Sequence, residues 1–143
     1  RAPVDPLGLS HALQSAIDEF ESCTGIELEF ADLAHGLVLS SVLDSQLFRI
    51  VQEALNNVAK HAQARHAWLT IARRDGGVEV IVEDDGCGIA PAEAGASETH
   101  YGIRIMQQRA AKLGGQIEIG QRTGGGTRVR AWVGLDAQGR AAP

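Results

Sequence analysis

Apolar residues recur along this chain with two periods, and the switches between them mark its elements. Leu9, Leu13, Ile17 and Phe20 are spaced as one face of a helix that stops near Gly25, and Ile26-Glu27-Leu28-Glu29-Phe30 then alternates as a strand. Leu47, Ile50, Val51, Ala54, Leu55 and Val58 stand at i, i+3, i+4, i+7, i+8 and i+11, which predicts a long helix with one buried face. Ala67 to Ile71 predicts a strand that turns at Asp75-Gly76-Gly77 into a second. There Val78, Val80 and Val82 alternate with Glu79, Ile81 and Glu83. Ile103, Met106 and Ala110 predict another helix, stopped by Gly114-Gly115. Gln116 to Gly120 opens a last hairpin, whose second strand alternates Thr127, Val129, Ala131 and Val133 with Arg128, Arg130 and Trp132. This order predicts an α/β sandwich, with a mixed, mostly antiparallel sheet covered on one face by helices.

Polar residues placed against this pattern supply the candidate chemistry. At about 100° per residue, Glu53, Asn57 and Lys60 fall in a stripe roughly 60° wide at the rim of the long helix's apolar face, so all three can reach one ligand. An Asn57 amide oxygen together with phosphate oxygens suits a hard cation such as Mg²⁺, and Lys60 offers charge to phosphates. A solvated polar helix face is the plain alternative. Asp84 continues the valine row, where a carboxylate costs several kcal/mol unless it meets a donor, and an adenine amino group would serve. Gly86 and Gly88 allow close backbone approach to a flat ring, although an Asp before Gly is also a common turn. Thr127 places its hydroxyl in the covered row after Gly124-Gly125-Gly126, a run that could equally be a hairpin loop. Backbone amides at Gly102 and Ile103 would face a phosphate from a helix N-terminus.

These residues resemble the ATP-binding catalytic domain of sensor histidine kinases, of the Bergerat-type group that includes gyrase, the Hsp90 chaperones and mismatch-repair ATPases. The likeness runs from about residue 45 to 134. Glu53-x-x-x-Asn57-x-x-Lys60-His61 is similar to the N box, Asp84-x-Gly86-x-Gly88 to the G1 box, His100-Tyr101-Gly102-Ile103 to the G2 region and Gly125-Gly126-Thr127 to the last nucleotide box. The run from His100 to Ala110, and Cys87 after Asp85-Gly86, resemble the nitrate/nitrite sensor kinases in particular. The resemblance implies that Asn57 binds Mg²⁺, that Lys60 contacts phosphate and that Asp84 accepts from the adenine amino group, with Thr127 supporting Asp84 through water. His61 and Tyr101 join the nucleotide set with Gly102 and Ile103, while Gly86, Gly88 and Ile89 border adenine. On the same resemblance, residues 90–101 would form a short lid, without the phenylalanine box of many relatives, since Phe20, Phe30 and Phe48 lie elsewhere. Glu53 stands where gyrase-like relatives carry a general base. Here it would orient or deprotonate an acceptor imidazole, or be a helix-surface residue.

The acceptor itself is absent from the sequence. None of His11, His35, His61, His66 or His100 precedes an acidic residue, as the family's phosphorylated histidine does. Residues 1–8 are expected as a linker from a dimerisation and phosphoacceptor segment, 9–135 as the ATP-binding domain and 136–143 as a disordered tail. The implied activity is transfer of the γ-phosphoryl of ATP, positioned with Mg²⁺, to a histidine on that dimerisation domain and onward to a response regulator, in a homodimeric parent. A serine kinase of the anti-sigma-factor type and a non-catalytic nucleotide-sensing module are the alternatives.

At 143 residues the chain fits one domain with a sizeable core. A net charge of −5, with only 13 basic residues, argues against nucleic acid as a partner. Arg73-Arg74 and Arg128/Arg130 read as solvated strand residues, and Trp68 and Trp132 as packing or surface residues. Cys23 reads as core and Cys87 as pocket lining. Two cysteines fit a reducing cytoplasm, and no apolar run approaches a spanning helix, so this segment is expected off the membrane even if its parent is anchored in the inner one.

Overall fold

A computed structural model describes residues 8–34, 37–87 and 98–142, with the backbone alone at 61, 62 and 98–100. Helix α1 (Gly8–Thr24) buries Leu9, Leu13, Ile17 and Phe20, the face that its spacing predicts. Thr24 ends it: its Oγ1 donates to the Phe20 carbonyl at 2.7 Å and accepts the Ile26 amide at 3.0 Å, and Gly25 follows at φ +74°. Glu21 accepts the Leu28 amide of strand β1 (Glu27–Leu33) at 2.8 Å, so a helix side chain covers a donor of an edge strand. Cys23, expected in the core, is exposed, because it lies off the Phe20 stripe.

Helix α2 (Ser41–Asn57) starts where Ser40 accepts the Leu43 amide at 3.2 Å, and it buries Leu43, Leu47, Ile50, Val51, Ala54 and Leu55. Its last turn is not α-helical. Val58–Ala62 is a π-helical turn, closed by Gln63 at φ +54°. A π turn advances less per residue than the 100° or so of an α-helix, so Lys60 is offset from the stripe expected for it, while Glu53 and Asn57 keep their i, i+4 relation.

Strands β2 (His66–Arg74) and β3 (Gly77–Asp84) form a hairpin at Asp75 and Gly76, whose φ of +53° and +76° suit a type I′ turn. Helix α3 (Glu98–Lys112) ends in a Schellman arrangement, with the Gly115 amide on the Ala110 carbonyl, the Gly114 amide on the Ala111 carbonyl, and Gly114 at φ +68°. Strands β4 (Gln116–Gln121) and β5 (Thr127–Gly134) complete a five-stranded sheet of order β1-β2-β3-β5-β4. Only β1 and β2 run parallel, so the sheet is mixed and mostly antiparallel, as expected.

One face of this sheet is the core. Ala67, Leu69, Ile71, Val78, Val80, Val82, Val129, Ala131 and Val133 pack there with the apolar faces of the three helices. Removing most of a buried leucine such as Leu47 would cost about 2–5 kcal/mol. The other face carries cross-strand rows, Ala72–Glu79–Trp132–Gln116 and Thr70–Ile81–Arg130–Glu118. Glu79 is only 3% exposed in this face. Arg74 Nε meets its Oε1 at 3.0 Å and Arg130 Nε donates to its Oε2, while Arg130 also lies 3.6 Å from Glu118. Both arginines, expected as solvated, are therefore ion-pair partners of a buried acid. Trp132 lies against Gly77 and Gly134 and donates its Nε1 to the Arg74 carbonyl at 2.7 Å, as a packing residue should.

Residues 136–142, expected as a disordered tail, instead fold back. Leu135 and Ala141 form a β-bridge, and Asp136 accepts the Gln138 and Arg140 amides at 2.8 and 3.0 Å. The Gly139 carbonyl takes the Ser40 amide at 2.9 Å, joining this turn to the start of α2.

Candidate functional site

The topology gathers the candidate residues at one end of the sheet. Because β2 and β3 are antiparallel, the start of β2 lies beside the end of β3, with Ala67 opposite Asp84. The start of β5 joins them, with Arg128 opposite Glu83. Helix α2 runs into β2 through the π turn, so Asn57 comes to the same end, and the first turns of α3 lie against it.

Glu53 and Asn57 are half-buried and converge on α3. A Cβ built at Gly102 would lie 2.5 Å from Glu53 Oε2 and 3.1 Å from Asn57 Oδ1, so a side chain there would displace the Glu53 carboxylate from this position. The acid, the amide and Gly102 are thus brought together. Tyr101 beside them is 66% exposed, and Ile103 packs against the core. Because α3 begins at Glu98, Gly102 and Ile103 are its fifth and sixth residues. Their amides lie beyond the four that a helix leaves unpaired, so within α3 they are expected to be taken up by the helix's own hydrogen bonds. Lys60 is exposed in the π turn, with His61 following it in the same turn. Gly88, Ile89 and residues 90–97 of the expected lid lie outside the described residues.

Asp84 occupies the floor. It is 2% exposed, and its Oδ1 accepts the Gly86 amide at 2.8 Å. Burial pushes its carboxyl pKa up from the usual range, partly offset by hydrogen bonds from the backbone amides of Gly86 and Thr127. Thr127 thus supports Asp84 through its main chain. Gly126, at φ +103°, lies directly beneath this strand end, where a Cβ would meet the Asp84 carbonyl oxygen at 1.8 Å. The triple glycine is a hairpin loop that also packs, at Gly126, against the Asp84 backbone.

Three groups at this end of the sheet, Asp85, His66 and Arg122, escaped the sequence reading, as did Asp44 at the far end of α2. Asp85 points the other way from Asp84 and staples β2 to β3: its Oδ1 accepts the Arg65 and His66 amides at 2.9 and 3.0 Å. The His66 amide and then the Arg65 amide hold this carboxyl down to about 2. His66 places its two ring nitrogens 3.1 Å from Asp85 and 3.1 Å from Glu27. Arg122 lies 4.2 Å over the Trp68 ring. Asp44, in the first turn of α2, is raised to about 6 by burial. The doubled Asp84-Asp85 at a strand end was the one available signal, since alternation sends the two to opposite faces.

Oxygen donors from Asn57 and Glu53 suit a hard cation and not a soft one. Among the described residues no group of three or more His, Cys, Asp or Glu is placed to hold a metal, so Mg²⁺ here would take Asn57 and complete its shell with phosphate and water. A concavity of about 430 Å³ lies at the opposite end of β3, lined by Leu37, Val38, Asp75, Leu135 and others, and holds none of the candidate residues. Among the described residues no helix is long and apolar enough to cross a membrane.

Comparison with known proteins agrees with this geometry. Residues 42–137 match the family described as histidine kinase-, DNA gyrase B-, and HSP90-like ATPase. The nitrate/nitrite sensor protein NarX of Escherichia coli is 34% identical over 85% of this chain and 20% of its own length. The histidine-protein kinase/phosphatase DegS of Brevibacillus brevis is 33% identical over 90% of this chain and 33% of its own. The expected likeness to nitrate/nitrite sensors is borne out, and DegS shares it at nearly the same identity. The chain spans between a fifth and a third of the length of these relatives. The histidine kinase domain of the Erythrobacter litoralis EL346 blue-light activated histidine kinase superposes with a TM-score of 0.75 at 25% identity, over 92% of this chain and 67% of that one. On sequence, fold and the arrangement of its boxes, this chain belongs to the histidine kinase-, DNA gyrase B- and HSP90-like ATPase family.

Proposed function

We propose that this domain binds Mg-ATP and presents its γ-phosphoryl to a histidine on a separate dimerisation domain of the same homodimeric parent, which passes it to a response regulator. The observation that carries the reading is Asp84: a buried carboxylate held by two backbone amides at the sheet end to which Asn57 and Gly102 also come. A nucleobase amino group supplies a donor such a carboxylate can use. Gly86 and Gly126 keep Cβ atoms away from it, and Gly88 and Ile89 border the base. Asn57 holds the cation, whose charge neutralises phosphate oxygens when bound. Lys60, with His61 beside it in the π turn, meets the phosphates, as do the opening amides of α3 near Tyr101. Glu53, four residues before Asn57, orients the incoming imidazole or takes its proton.

Relatives named as sensor histidine kinases favour this reading over the serine-kinase and nucleotide-sensing alternatives. It places the domain in the cytoplasm with its nucleotide. Calorimetric titration with ADP and a non-hydrolysable ATP analogue, with and without Mg²⁺, is the test. Magnesium-dependent binding is expected, and Asn57→Ala should abolish that dependence while leaving the circular dichroism spectrum intact. Unchanged affinity in the variant would overturn the metal assignment. Acid-labile phosphate appearing on an added dimerisation domain would establish the transfer.

A further inference from the structure

The Gly124–Thr127 loop is held by one residue, through its main chain and its side chain. Arg122 donates its backbone amide to the Gly126 carbonyl at 2.9 Å and its Nη1 to the Gly125 carbonyl at 3.2 Å, while its own carbonyl accepts the Gly125 amide at 3.0 Å. Its guanidinium is seated over Trp68 at 4.2 Å, and Trp68 stacks on His66, whose ring meets Asp85. A continuous set of contacts therefore runs from the start of β2, across the open face of the sheet, to the loop that presses Gly126 under Asp84 and brings up the Thr127 amide.

We propose that Arg122 is a positioning residue of the nucleotide site, which fixes the loop that supports Asp84. The proposal rests on Asp84 being the base-recognising group. Two charged side chains act on that carboxyl with opposite sign. Asp85, from the same strand end and itself in contact with His66, raises its pKa further beyond the effect of burial, and Arg122 lowers it. Ionised Asp84 accepts from an amino group and protonated Asp84 does so poorly. As pH falls the site loses its acceptor, and without Arg122 it should lose it at a higher pH.

The test is ADP affinity of the whole chain between pH 5 and 8, for the parent, Arg122→Gln and Arg122→Lys. The ligand's own protonation cancels when proteins are compared at one pH. Arg122→Gln should weaken binding about threefold to fivefold at pH 7. The deficit should widen toward pH 5, and Arg122→Lys, which keeps the charge, should restore the parent's pH profile. A deficit equal at every pH, or none, would overturn the proposal. Should Arg122→Gln not fold, Trp68→Leu removes the seat and keeps the charge, and an unchanged loop and affinity in it would overturn the clamp. Failure of the folded parent itself to bind ADP would refute the nucleotide reading, and this inference with it.

Discussion

Strand β3 buries two carboxylates on opposite faces, and their surroundings could hardly differ more. Glu79, in the open face, meets two arginines. Burial pushes its carboxyl up, but hydrogen bonds and charge from Arg130 and then Arg74 more than reverse that, so its pKa is lowered. Asp84, on the covered face, is hydrogen-bonded by the backbone amides of Gly86 and Thr127, and its pKa stays raised. Glu79 is neutralised in place by the fold, whereas Asp84, on the reading proposed above, would meet its further partner in the ligand. On that reading the difference separates a structural acid from a functional one within a single strand.

The strongest way to break the comparison is to strip Glu79 of its better partner. Arg130→Met should cost about 3 kcal/mol of stability in urea unfolding, because it leaves a buried charge with one exposed arginine, and should leave ADP affinity unchanged. A loss below about 1 kcal/mol would mean that Glu79 relaxes into water. The converse change is Asp84→Asn. It removes a desolvated charge, so stability at pH 7 should hold or rise, while adenine-nucleotide affinity should fall about ten- to hundredfold. Parallel loss of both properties would make Asp84 a structural acid like Glu79.

Acid titration sharpens the same contrast. Glu79 is lowered in the folded state, so its contribution is present above its unfolded value near 4.5 and fades as pH falls through the folded one. Glu79→Gln should therefore flatten that part of the stability profile. The smallest effect concerns Asp44, raised to about 6 from 3.8 by burial. A raised acid stabilises the fold only once protonated, so stability from this group grows as pH falls from above 6 toward 4. After allowance for partial exposure, Asp44→Asn should add about 1 kcal/mol at pH 7 and nothing near pH 4. Equal gains at both would rule out the titration.

What the sequence made legible was local. The valine row ending in Asp84, the i, i+4 pair Glu53 and Asn57, the Asp75-Gly76 hairpin and the Gly114-Gly115 stop all follow from backbone periodicity or turn chemistry, which neighbours alone determine. What stayed hidden depends on pairing between distant segments. Arg130 looks solvated until β3 and β5 are aligned, when it falls one position from Glu79 on the same face. The tail looks disordered until Leu135 meets Ala141. The π turn is hidden for a different reason, because its residues have ordinary helical preferences and only their place at a helix end, entering β2, reveals it.

The hydrogen bond between Ser40 and Gly139 ties the far end of the chain to the first turn of the helix that bears Glu53 and Asn57. Mechanically this makes the last turn a tether: tension applied at residue 142, by a fused domain or a pulling handle, first loads the Ala142–Gly134 hydrogen bond and the Leu135–Ala141 bridge, and once these part it is delivered through Gly139 to the cap of α2. A cut placed after Gly134 would spare every strand, yet it would unfasten the helix that positions the candidate metal ligand from its own beginning.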